Sequence, residues 1–102
     1  MNFENQIKGK PLAPPPVSKS ERSFEILRVW SEKDGPQQLT LLPTWDDPGA
    51  WGLVLVDIAR HAAKAYAHEG HDELKALNRI KELFDSEWLE PTDEPEDITP
   101  TN

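Results

Sequence analysis

Cysteine is absent from the chain, which excludes disulfides, thiolate metal sites, iron–sulfur clusters and cysteine nucleophiles. No apolar run approaches the ~20 residues of a membrane span, and the N-terminus has no signal-peptide hydrophobic region. A cytoplasmic protein with no membrane partner is therefore expected. Neither G-x-x-x-x-G-K-[ST] nor G-x-G-x-x-G occurs, so no known phosphate-cradling loop is present. Basic residues are outnumbered, with 11 Lys and Arg against 19 Asp and Glu for a net charge of −8. Such a chain repels phosphate backbones, which argues against nucleic-acid binding.

What is present is unevenly distributed over the 102 residues. Residues 1–22 are punctuated by Pro11, Pro14, Pro15 and Pro16 and offer little to bury. Residues 91–102 are acidic and interrupted by Pro91, Pro95 and Pro100. Both segments read as disordered tails, the second as a solvated extension or an acidic docking peptide. The folded unit is then 23–90, a size at which a lone core is only marginally stabilising. Its core must be efficient or shared with another chain.

Within 23–90 the pattern predicts an α+β domain, an antiparallel hairpin followed by an antiparallel helix pair (ββαα). Ser23 to Glu32 reads as the first strand, with Phe24, Ile26 and Trp30 on one face and Leu27 and Val29 on the other. Lys33-Asp34-Gly35-Pro36 is a turn signal, with Gly35 suited to positive φ. Gln37 to Thr44 reads as the return strand, and Pro43 ends it or marks an edge. Asp47 then fits an N-cap and Pro48 the first helical position, with Trp45 folding back towards Trp51. This helix should run to about Glu69, with Gly70 at its left-handed C′ position. A second helix is expected from near Asp72 to about Glu90, stopped by Pro91.

Helical periodicity groups Trp51, Val54, Leu55, Ile58, Ala62, Ala65 and Tyr66 into one stripe of the first helix. Leu74, Leu77, Ile80, Phe84 and Trp88 form the matching stripe of the second. Leu53 and Val56 point away from the first stripe, so the N-terminal half of that helix needs cover on two sides. A hairpin alone also has two unpaired edges. Two copies joined hairpin to hairpin would give a four-stranded sheet backed by four helices. A monomer that folds its own tail over the sheet is the other possibility.

Residues able to carry chemistry are few. His61, His68 and His71 match no zinc spacing, and no metal or cofactor is expected. Asp57 and His61 lie four apart on the first helix; they read either as an acid–base pair in a groove or as a solvated i,i+4 pair. Arg28 beside Trp30 is the one basic residue placed to support a stacked ligand. A regulator that binds a partner protein would use the acidic tail, Trp88 and the exposed face of the second helix. No serine falls in a nucleophile-elbow context.

The strings Trp45-Asp46-Asp47-Pro48-Gly49-Ala50-Trp51-Gly52, Asp57-Ile58-Ala59-Arg60-His61, Leu83-Phe84-Asp85-Ser86-Glu87-Trp88 and Pro91-Thr92-Asp93 carry a resemblance. They are similar to a family of short, mostly alphaproteobacterial proteins known as a domain of unknown function, over roughly residues 23–95. The resemblance implies the strand–strand–helix–helix order and a bacterial cytoplasm, and supplies no activity or catalytic residue. The leading expectation is a non-enzymatic interaction protein that binds itself as a homodimer, or another protein. The alternative is a small-molecule binder or minor enzyme using Arg28, Asp57 and His61 in a groove.

Overall fold

The computed structural model describes residues 11–92 and 96–97. The remainder of the two expected tails, 1–10, 93–95 and 98–102, lies outside the described residues. After a single 3-10 turn at Pro16–Lys19, the elements are β1 (Leu27–Trp30), β2 (Gln38–Leu41), α1 (Gly49–His68), α2 (Glu73–Leu89) and β3 (Glu96–Asp97). The ββαα arrangement of the α+β class is thus present, with strands shorter than the alternation suggested.

β1 and β2 pair antiparallel with Leu27 opposite Leu41 and Val29 opposite Leu39. Directly opposed residues share a face. The aliphatic face of the sheet is therefore Leu27, Val29, Leu39 and Leu41, not the face shared by Phe24, Ile26 and Trp30. Trp30 instead stands opposite Gln38, and Arg28 opposite Thr40. In the turn, the Gly35 N–H donates to the Glu32 carbonyl at 3.0 Å, and Asp34 rather than Gly35 adopts positive φ, at 62°. A short polar side chain tolerates that region better than most. β3 adds to the far side of β2 in parallel, opposite Gln38 and Leu39. β2 is thus the middle strand, and the outer edge of β1 is free of a strand partner among the described residues.

The two helix ends that meet each other follow their local chemistry closely. The His71 N–H donates to the Tyr66 carbonyl and the Gly70 N–H to the Ala67 carbonyl, both at 3.1 Å. Gly70 has φ of 99°. This is the Schellman pattern, and its usual side-chain contact is supplied by Tyr66 and His71, whose rings meet edge to face at 5.3 Å. Two residues later the Asp72 carboxylate accepts the Lys75 N–H at 2.9 Å and caps α2. The reversal is completed by a Lys64–Glu73 ion pair at 3.7 Å between exposed side chains.

The helices meet through small residues. Among the described residues Ala63 alone is buried, with Ala59, Ala62 and Ala67 of α1 and Ala76, Leu77 and Ile80 of α2 half-buried. Trp51, Val54 and Ala62 of the expected α1 stripe are half-buried, and the enclosed face also takes in Ala59, Ala63 and Ala67. Leu55, Ile58 and Tyr66 of that stripe are exposed. No Cα of a sheet strand comes within 8 Å of a Cα in either helix. The Cα radius of gyration is 15.3 Å, against about 13 Å for a compact domain of ~100 residues.

Gly70→Ala is expected to cost about 1 kcal/mol, since nothing crowds the new Cβ and only the left-handed backbone resists it. Asp72→Ala should cost a similar ~1 kcal/mol through the lost cap. Urea denaturation followed by far-UV circular dichroism measures both.

Candidate functional site

Pro43 ends β2's extension, and its carbonyl becomes the anchor of the connection to α1. It accepts the Trp45 N–H and the Trp51 indole Nε1–H, each at 2.8 Å. The first of these closes a three-residue γ-turn over Thr44, whose φ is 73°. Positive φ is unusual for a β-branched residue, and the Thr44 hydroxyl donates to the Leu42 carbonyl at 2.7 Å across the same bend. The Trp45 and Trp51 rings meet edge to face at 5.7 Å. Asp47 Oδ1 then accepts the Gly49 N–H at 2.8 Å, and Pro48 has helical φ of −61° and ψ of −18°. Asp47 therefore acts as the N-cap and Pro48 as the first helical residue.

This joint sets Trp51 at the mouth of a groove between the first half of α1 and the second half of α2. The groove encloses about 820 Å³ and is walled chiefly by Trp51, Leu55, Val56, Ile80, Phe84 and Trp88. Phe84 and Trp88 are stacked, with ring centroids 5.5 Å apart and planes inclined by 23°. Trp88 remains 71% exposed and Phe84 42%. On the rim, Lys81 pairs with Asp85 at 2.7 Å, whereas Arg60 has no ion-pair or hydrogen-bond partner among the described residues. Beyond α2, the Thr92 N–H and Oγ1–H donate to the Glu87 carboxylate at 2.9 and 2.5 Å. The Thr92 hydroxyl and then its N–H hold the Glu87 carboxyl below its usual range. Glu87 thus clasps the chain where Pro91 stops the helix.

The other singled-out residues stand apart from this groove. Asp57 and His61 are exposed on α1 and are not among the groove's lining residues. Neither side chain forms a hydrogen bond or ion pair among the described residues. Arg28 is exposed on β1 and pairs with Glu25 at 3.0 Å. Trp88 lines the groove. No three His, Asp or Glu side chains come together to hold a metal ion among the described residues. No helix among them is long and apolar enough to cross a membrane. In the sequence Phe84 and Trp88 share the second-helix stripe at i,i+4 spacing, whereas the isolation of Arg60 has no local signal because it depends on where α2 lies.

The family model described as "Domain of unknown function (DUF5076)" matches residues 11–92. The chain belongs to that family. It is also similar to a solved structure described as "a putative pyruvate dehydrogenase from the photosynthetic bacterium Rhodopseudomonas palustrus CGA009". The two are 41% identical with a TM-score of 0.68, over 91% of this chain and 94% of that one. No curated protein matches the chain.

The Trp51→Phe substitution removes the indole N–H but keeps most of the ring. It should lower unfolding free energy by about 1 kcal/mol, the ordinary net worth of one hydrogen bond. Thr92→Val should raise the Glu87 carboxyl towards its ordinary value, read by carbon-detected NMR titration. A carboxyl held low in the folded state contributes stability above its unfolded pKa and loses it as pH falls through the folded one. The Glu87–Thr92 clasp should accordingly open on acidification, earlier in the variant than in the parent.

Proposed function

We propose that this member of the DUF5076 family is a non-enzymatic protein-interaction module that works as a homodimer in a bacterial cytoplasm. The observation that carries this reading is the imbalance of burial. One alanine is buried among the described residues, while large apolar side chains along both helices, such as Leu53 at 72%, remain exposed. Apolar surface removed from water is worth roughly 25 cal/mol per Å², and a domain of this size has little other source of stability. Two surfaces are open to a second copy: the free edge of β1 and the groove between the helices. The acidic balance and the lack of a known phosphate-binding motif fit a protein partner better than a nucleic acid.

The name carried by the Rhodopseudomonas protein would point to an enzyme. Nothing in the groove's lining carries that activity over by residue, since its walls are largely hydrocarbon and indole with Arg60, Lys81 and Asp85 at the rim. A small-molecule site at Arg28, Asp57 and His61 has less support than the interaction reading, because the sheet strands and helices approach no closer than 8 Å between Cα atoms.

Sedimentation equilibrium should give twice the chain mass of 11.6 kDa, and the thermal midpoint should rise with protein concentration. A monomer whose midpoint is independent of concentration would overturn the proposal. The double substitution of Asp57 and His61 by alanine should leave association unchanged and shift stability by less than about 0.5 kcal/mol.

A further inference from the structure

We infer that the groove between α1 and α2, rather than the β1 edge, is where the second copy docks, about a two-fold axis that sets Trp88 of each copy into the groove of the other. The inference rests on the homodimer reading and specifies its interface. Three observations carry it. The groove and a largely exposed tryptophan at its end sit together on one molecule. Trp88 is 71% exposed at the groove's end and already stacked on Phe84, presenting a flat ring for a second aromatic contact. A two-fold interface requires this kind of self-complementarity, in which a patch supplies both the projecting group and its receptor.

The second observation is charge. Arg60 stands on the groove rim and Glu90 lies two residues beyond Trp88; neither side chain has a partner among the described residues. In a two-fold arrangement the group flanking the inserted tryptophan meets the rim of the other copy's groove. Opposite signs at those two places make the approach favourable, and once paired they fix its register.

The third is area. A standard interface takes about 800 Å² from each partner and is centred on aromatic and Arg anchors. The groove supplies exposed large apolar side chains from both helices beside Trp88, namely Leu55, Val56 and Phe84. The β1 edge offers four residues of backbone, a much smaller surface, and the chain's own β3 already occupies part of the sheet's other edge.

The test is sedimentation equilibrium on the full chain and three variants, each checked for retained helicity by circular dichroism. Trp88→Ala removes the anchor and should raise the dimer dissociation constant by about 30-fold or more, as expected of a central aromatic. Trp88 is too exposed for its loss to unfold the monomer. Arg60→Glu should weaken association, and the charge-reversed pair Arg60→Glu with Glu90→Arg should restore it. That rescue reports on contact across the interface and is insensitive to monomer stability. A parent dimer unaffected by Trp88→Ala, or weakened without charge-reversal rescue, overturns this placement while leaving the homodimer intact. A monomeric parent that instead binds another protein or an apolar molecule through Trp88 overturns the homodimer itself.

Discussion

The packing of α1 against α2 is the main contact between elements of the helical region, and Ala63 is its one buried side chain among the described residues. Ala59, Ala63 and Ala67 let the neighbouring helix approach closely, with Ala76, Leu77 and Ile80 on the other side. Small side chains permit close packing but remove little apolar area from water, so Ala63 alone becomes buried among the described residues. The large residues are displaced to the flanks, where they line a groove. A contact that brings backbones together thereby leaves the bulkier hydrocarbon outside, available to a partner.

The second constraint is the joint between sheet and helices. Pro43 offers one carbonyl to two donors, the Trp45 N–H and the Trp51 indole, and Thr44 holds a positive φ to make the bend. Asp47 and Pro48 start α1 immediately afterwards, so the direction of the helix is set within a few residues of the strand's end. Beyond that joint the strands stand off from the helices, with no strand Cα within 8 Å of a helix Cα. Much of the string Trp45 to Gly52 takes part in this local geometry.

Much of the fold was legible because local chemistry is strong where it was read. Gly70 takes the left-handed position after α1, Asp72 caps α2 and Pro91 follows its end; each involves contacts within a few residues along the chain. The turn showed a limit of such reading, since Asp34 took the positive φ expected of Gly35. Register was another: the alternation sorted each strand's faces, but which residues of β2 stand opposite Leu27 and Val29 appears only in the pairing. Trp88 was legible as a member of the second helix's apolar stripe, but its exposure and the groove it lines join residues from two helices and appear only when they are packed.

The sequence by itself determined the order of elements, the caps and turns that bound them, and the shortage of material for a private core. These depend on neighbours in the chain, whose spacing is written in the order of residues. Only the tertiary structure decided which face of α1 is enclosed, that β2 is the middle strand, and that Arg60 and the Phe84–Trp88 stack border one groove. Periodicity could not choose among the faces of α1 because its N-terminal half is apolar nearly all round. The choice fell to the packing of α1 against α2, a property of two surfaces and not of one segment.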